Sequence, residues 1–239
     1  MNTIRIESGK TLMVAHRGVS GIETENTCSA FVAAGNRSYF GIETDVHRTR
    51  DGKFVCIHDD NTGRVAIDSL SVENSTFDTL RALVLADTDG VRGRSDLRIP
   101  TLQEYVRICK KYGKIGVLEL KNTFEPADIQ KIIDIIVGED YLSGIIFISF
   151  SLENMICVRS LLPKQPCQYL ISSFPDDLPD TLAKYGLDLD IHYKALTEEK
   201  LAALHEKGVR VNVWTVDNPE DAARLIGWGV DYITSNILE

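Results

Sequence analysis

The sequence predicts an α/β fold, a (β/α)8 TIM barrel with a small insertion after its second strand. Three observations lead there. From Pro100 onward, short β-rich runs alternate with helical patterns through brief connections, as parallel strands joined by right-handed crossovers require. Eight such strands fit within the 239 residues, the number a closed barrel uses. Histidines and charged residues fall at the C-terminal ends of the predicted strands, where barrels place their chemistry. A doubly wound open sheet is the alternative, since a strand count does not show closure. No Gly-rich dinucleotide fingerprint follows the first strand to support it.

The first strand, 12–15, is a short apolar run ending in His16-Arg17-Gly18. Glu25-Asn26-Thr27 opens a helix through Ala34, with Gly35 as its stop signal. The second strand is 42–46. Asp51-Gly52 is a turn signal, and a return run at 54–57 ends at His58-Asp59. The stretch 60–100 is polar, with one helical pattern at 77–85 and a basic loop carrying Arg92, Arg94 and Arg98. So long a connection in a compact domain reads as functional or as a small insertion, and nothing in it announces a core of its own. Beyond it, helices at 102–112, 127–137, 152–162, 178–185, 198–207 and 220–226 alternate with strands at 115–120, 145–149, 168–172, 187–191, 209–216 and 230–234. The chain 1–239 is read as one domain with its insertion at about 60–100.

Composition narrows the function. The net charge of -9 argues against a nucleic-acid surface, which needs basic patches to displace counterions. It leaves room for a small anionic substrate, because a bound divalent cation can invert the local sign. No apolar run approaches the ~20 residues that cross a bilayer, and 1–10 lacks the apolar stretch of a secretory signal. The expectation is a cytoplasmic protein with no membrane span. The five cysteines, Cys28, Cys56, Cys109, Cys157 and Cys167, are scattered and form no CxxC pair. They read as small hydrophobes in a reducing compartment rather than as nucleophiles. Oligomeric state is not encoded in any of these features.

Glu43 and Asp45 alternate with Ile42, Thr44 and Val46, so both carboxylates share one strand face. Two carboxylates facing one way are costly to bury unless a cation neutralises them. Glu119 and Lys121, again two apart, end the third strand of the barrel. Glu43, Asp45 and Glu119 offer only oxygen, which suits Mg2+, Ca2+ or Mn2+ rather than zinc. His16 and His58 could flank the same centre as general acid and base. Arg17 can grip a phosphate as a fork and Lys121 as a point charge. Together these describe metal-assisted phosphodiester cleavage.

Each residue also has a plainer reading. An isolated Glu-x-Asp is usually a solvated face, and a lone His16 would more often be structural. Trp214 could simply fill the barrel, and Glu25 could cap the first helix. Arg92, Arg94 and Arg98 read as a solvated loop, with a phosphate-attracting cap as the sharper alternative. His47 has the parity of Glu43 and Asp45 but reads as an exposed strand-end residue rather than a rim residue. His192 follows the sixth strand and is a candidate for touching substrate. His205 precedes Gly208 near a helix end, where an imidazolium suits the dipole, and carries no catalytic role.

The ordered set of motifs resembles the glycerophosphodiester phosphodiesterases. The resemblance runs through His16-Arg17-Gly18, Glu25-Asn26-Thr27, the 41–46 strand, Thr49-Arg50-Asp51-Gly52, His58-Asp59, Ile99-Pro100-Thr101-Leu102, Glu119-Leu120-Lys121, Ser149-Phe150, Val213-Trp214-Thr215-Val216 and the 229–234 run. It covers nearly the whole chain. It implies a (β/α)8 barrel with an insertion after strand two, and a divalent metal, Ca2+ or Mg2+, on Glu43, Asp45 and Glu119. It implies His16 and His58 as the acid–base pair, Arg17 at the phosphate, Lys121 and Trp214 in the substrate pocket, and Glu25 supporting the first loop. The implied reaction turns a glycerophosphodiester into glycerol 3-phosphate and an alcohol. Three positions depart from the pattern. Thr24 stands where proline is common, so the loop loses a rigid residue. Ser235-Asn236 replaces an acidic residue, and His47 an uncharged one. The competing readings are a phospholipase D-like barrel acting on lysolipids and a non-catalytic phosphodiester-binding barrel. The first would want an amphipathic membrane segment, which the sequence lacks. The second would show a lost histidine or ligand, and all five are present. A metal-dependent nuclease is disfavoured by the acidic balance.

Overall fold

The computed structural model describes residues 2–239. Its strands are β1 (Leu12–Ala15), β2 (Gly41–Arg48), a short β3 (Phe54–Cys56), β4 (Ile115–Leu120), β5 (Ile145–Ser149), β6 (Cys167–Ile171), β7 (Asp188–His192), β8 (Val211–Trp214) and β9 (Tyr232–Ser235). All but β3 are parallel and pair in sequence order. β1 pairs with both β2 and β9, so the eight-stranded sheet closes on itself. The predicted barrel is therefore the observed one, and the open-sheet alternative is excluded. β3 lies antiparallel on β2 as the Asp51-Gly52 hairpin requires.

Helices α1 (Cys28–Gly35), α2 (Phe77–Ala82), α3 (Leu102–Tyr112), α4 (Pro126–Gly138), α5 (Leu152–Leu161), α6 (Leu178–Tyr185), α7 (Glu198–Glu206) and α8 (Pro219–Trp228) occur with their predicted order and near their predicted bounds. Strands β7, β8 and β9 start one or two residues later than the apolar runs suggest. The reason is helix termination. The amides of Leu187, Val209 and Val230 donate to the carbonyls of Leu182, Leu204 and Leu225, closing the last turn of the helix before. Each is preceded by a glycine in the left-handed region, with φ of 62°, 75° and 90°.

The main core lies between barrel and helices. Phe31 and Tyr105 meet edge to face there at 5.1 Å, and the Tyr105 hydroxyl donates to the Ile42 carbonyl at 2.6 Å. Gly18, at φ 74°, is needed where the chain leaves β1, because a Cβ there would stand 2.7 Å from Ala30. Inside the barrel, Val14, Val117, Ile146, Ile148 and Leu170 form only a small apolar cluster. Gln168, Asp190, Asn212 and Thr234 are buried on β6, β7, β8 and β9.

The insertion differs from expectation. Ala66, Val72, Leu80, Leu85, Leu97 and Ile99 gather with Val55 and Ile57 of the hairpin into a separate buried cluster. It escaped the sequence reading because its members are single apolar residues spread through polar turns, with no period to mark them. Arg81 of α2 locks this small core to α3 through a two-pronged pair with Glu104 at 2.7 and 2.9 Å. Leu80→Ala should cost about 2–5 kcal/mol, read as a lowered urea midpoint. It should also raise protease cleavage within 60–100 ahead of the barrel.

Candidate active site

Strand pairing brings the carboxylates together. Asp45 of β2 is the direct neighbour of Glu119 on β4, and Glu43 lies two residues below it on the same face. All three are buried, and each offers an oxygen within 4.8 Å of the others. Lys121 reaches Glu119 at 2.9 Å and Asp45 at 3.5 Å, while Arg17 lies 3.6 Å from Asp45. The Arg17 amide donates to Glu43 at 2.7 Å, an angle made available by its left-handed backbone, φ 52°. Asn26 donates to Asp45 at 2.8 Å and accepts from Thr44 at 2.6 Å.

Burial and the neighbouring carboxylates push Glu43 well above the ordinary carboxylate range. Burial and Asp45 push Glu119 up to about 8. Burial would raise Asp45 as well, but Lys121 and Arg17 outweigh it and hold that group ionised. Three carboxyls against two cations leave a negative charge uncompensated in an all-oxygen cluster. Such a set fits a hard divalent cation, whose charge would offset it.

His16 and His58 each present Nε2 to the site because Nδ1 is occupied. Asp59 sits 2.6 Å from His58 Nδ1. Arg64 in turn grips Asp59 at 2.7 Å and Glu25 at 2.6 and 2.8 Å. Glu25 also takes Arg17 at 3.0 Å. It therefore ties the β1 loop to the insertion and is not the cap of α1, a role held by Thr27. His16 Nδ1 lies 2.7 Å from Asn236 Oδ1. Asp217 fixes which way that amide points, because it accepts from Asn236 Nδ2 at 2.6 Å and can only accept. Burial, with Arg17 second, pushes His16 down to about 4, and burial also lowers His58.

One cleft collects His16, Arg17, Glu43, His58, Glu119 and Trp214. Asp45 and Lys121 join it through their ion pairs. Eight of the nine predicted site residues thus meet at this cleft, and Glu25 is tied to it through Arg17. A wider groove of about 640 Å³ opens between the β3 hairpin and α3–α4, beside Lys53, Phe77 and Arg107, but it contains no histidine.

His47 is corrected: it is fully buried and not an exposed strand end. Its Nε2 lies 3.3 Å from the His58 carbonyl and its Nδ1 3.5 Å from Glu73. The insertion folds over it, which the strand pattern alone does not reveal. The arginine loop does not cap the cleft. Arg94 is spent on Glu23, Asp87 and Asp96, and Arg98 on the carbonyls of Ser95 and Ala82. Thr24 does not leave its loop slack, since its hydroxyl donates to the Ala86 carbonyl at 2.8 Å. His192 stacks edge-on against Trp214 at 5.2 Å, and His205 pairs with Asp231. Burial raises the thiols of all five cysteines, in keeping with an inert role. Sequence reasoning missed Arg64, Asp217 and Asp190. It noted Asn236 only as a departure and gave Asp59 no role, although Asp59 adjoins His58.

The closed barrel carries this cleft at the C-terminal ends of its strands. Residues 16–238 match the glycerophosphoryl diester phosphodiesterase family, and the chain belongs to that family. It is 29% identical over 230 residues to a glycerophosphodiester phosphodiesterase of Caldanaerobacter subterraneus, covering 95% of this chain and 94% of the relative. It is also similar to the crystal structure of a glycerophosphodiester phosphodiesterase from Parabacteroides distasonis, with TM-score 0.81 and 27% identity over 95% and 93% of the two chains. The fold is shared with an Oleispira antarctica phosphodiesterase solved with its product sn-glycerol 3-phosphate, at TM-score 0.83 and 24% identity over 98% and 96%. Among the described residues, no helix is long and apolar enough to cross a membrane.

The raised carboxyls give a pH signature. Metal-free folded protein holds protons on Glu43 and Glu119 that the unfolded chain releases, so stability is lost as pH rises through about 8. In EDTA the thermal midpoint should fall between about pH 5 and 8, by roughly 2–4 °C per kcal/mol lost. Adding Mg2+, Ca2+ or Mn2+ should flatten that slope. A flat profile in EDTA would mean the three carboxylates are ionised throughout.

Proposed function

We propose that this phosphodiesterase hydrolyses glycerophosphodiesters to glycerol 3-phosphate and an alcohol, using His16 and His58 as the acid–base pair and a divalent cation on Glu43, Asp45 and Glu119. One observation carries the proposal. Two histidines, each held at Nδ1 by its own partner, face one cleft with three buried carboxylates. The product bound by the Oleispira antarctica phosphodiesterase is of the same class. We read the whole chain as one barrel domain with its insertion.

The bound cation would offset the carboxylate charge and polarise the phosphate oxygens, and Mg2+, Ca2+ and Mn2+ all suit an oxygen set. Arg17 lines the cleft and offers its guanidinium to the phosphate. Burial and Arg17 keep His16 unprotonated at Nε2, and the Asn236 oxygen fixes its one proton on Nδ1, so it accepts a proton at Nε2 from water or from the neighbouring glycerol hydroxyl. His58 has a carboxylate on Nδ1, which works against the burial that lowers this group, so of the two histidines it is the one placed to donate a proton at Nε2 to the leaving alcohol oxygen. The attacking oxygen bonds to phosphorus as the bond to the alcohol oxygen breaks. If the glycerol hydroxyl attacks, a cyclic phosphate forms and water opens it with the histidine roles reversed. Lys121 keeps Asp45 and Glu119 in place, and Trp214 walls the cleft.

The test is release of glycerol 3-phosphate from glycerophosphocholine and glycerophosphoethanolamine, in EDTA and then with Mg2+, Ca2+ or Mn2+ restored. Turnover should require the cation. Failure on both diesters with every ion, while lysolipids are cleaved, would move the assignment to a phospholipase D-like reaction. His16→Ala and His58→Ala should each lower kcat by about 10²–10⁴-fold, with thermal midpoints close to wild type. Near-normal turnover in both variants would remove the acid–base assignment.

A further inference from the structure

The barrel interior carries one acid that the proposed mechanism leaves unused. Asp190 on β7 lines the same cleft as Glu43, Glu119 and the two histidines. It is 2% exposed, and its Oδ1 has no hydrogen-bond partner among the described residues. Its direct neighbours across the sheet are Leu170 and Asn212. Among the described residues no arginine, lysine or histidine is within ion-pairing reach of it, unlike Asp45 or Asp59. The Asn212 amide is the one polar side chain of the described residues that acts on Asp190, and it is shared with Thr234, at 3.1 and 3.2 Å.

A buried carboxyl with one unpartnered oxygen and no cation beside it is expensive to keep. The adjoining positions Ile148 and Leu170 show that this wall accommodates aliphatic side chains without difficulty. A group held at such a cost, in the wall of a reactive cleft, is one whose partner arrives with the substrate. Glu43 and Glu119 stand on β2 and β4 and Arg17 in the turn after β1, whereas Asp190 stands across the cleft on β7. A diester with its phosphate at the acidic centre therefore extends one substituent toward Asp190. Trp214, locked edge-on between Phe150 at 5.7 Å and His192 at 5.2 Å, forms the wall beside that substituent.

We propose that Asp190 is a specificity-determining residue that recognises a hydroxyl of the substrate's glycerol moiety, so that the cleft separates glycerophosphodiesters from diesters lacking that hydroxyl. This rests on the glycerophosphodiesterase reading above. Burial pushes the Asp190 carboxyl up to about 8, so near neutral pH it is mostly protonated. A carboxylic acid both donates and accepts, as a hydroxyl does. A cationic head group would instead call for a carboxylate held ionised.

The test compares ligands as well as turnover, in wild-type enzyme, Asp190→Leu and Asp190→Asn, each loaded with Mg2+. Calorimetry gives Kd for glycerol 3-phosphate, methyl phosphate and phosphoethanolamine. Wild type should bind glycerol 3-phosphate at least about tenfold tighter than methyl phosphate, one good hydrogen bond's worth. Asp190→Leu should bring that ratio close to one, and Asp190→Asn, which keeps a polar partner, should retain part of it. The thermal midpoint of Asp190→Leu should equal or exceed that of wild type, because a buried acid with no counter-cation is removed. Parallel loss of affinity for all three ligands would make Asp190 a structural member of the barrel interior and overturn the proposal. Selective loss for phosphoethanolamine would overturn it in favour of head-group recognition. Asp190→Asn repeats each comparison if the leucine variant does not fold. Wild type that turns over glycerophosphodiesters yet shows no preference for glycerol 3-phosphate refutes only the role of Asp190. Wild type that cleaves no glycerophosphodiester refutes the reaction itself.

Discussion

Mutual repulsion among Glu43, Asp45 and Glu119 is the constraint that the rest of the molecule answers. Three buried acids within 4.8 Å of one another cannot all ionise without compensation. Arg17 and Lys121 supply part of it, and Asn26 fixes one carboxylate with a neutral donor. The remaining deficit makes the centre a receptor for a hard cation. It also explains why the first loop is so heavily tied. The left-handed turn at Arg17, the glycine after it and the Glu25 clamp all place positive charge and amide donors against this centre.

Exposed ion pairs such as Arg64 with Glu25 and Asp59 contribute little to stability, on the order of 0.2–1 kcal/mol each. Their effect here is positional. Through them the Asp59 carboxylate is held on His58, while an amide fixed by Asp217 is held on His16. The two imidazoles are thus given unlike partners, a physical basis for unlike roles in one reaction.

Much of this was legible in the sequence because it was periodic. The period-two placement of Glu43 and Asp45, and of Glu119 and Lys121, fixes which residues share a face. The alternation of elements then fixes that those faces meet at one end of a barrel. What was illegible was long-range and aperiodic. Arg64 lies in a polar stretch with no pattern, and its partners come from two other segments. Asp217 acts through Asn236, nineteen positions away. His47 looks like a strand-end residue until the insertion is laid across it. The cluster beneath the insertion has no helical or strand period, only single apolar residues that tertiary folding collects. Asp190 sits in an ordinary strand, and its lack of a counter-cation exists only in three dimensions.

The separate small core has a further consequence. His16 belongs to the barrel, whereas His58, Asp59 and Arg64 leave the hairpin on the side of the insertion cluster formed by Val55, Ile57 and Leu80. The two histidines of the cleft therefore rest on two hydrophobic units of very different size. Small units open by local unfolding well before a large core gives way. The upper working temperature of this enzyme would then be set by its least-packed part, with the barrel still intact when catalysis stops.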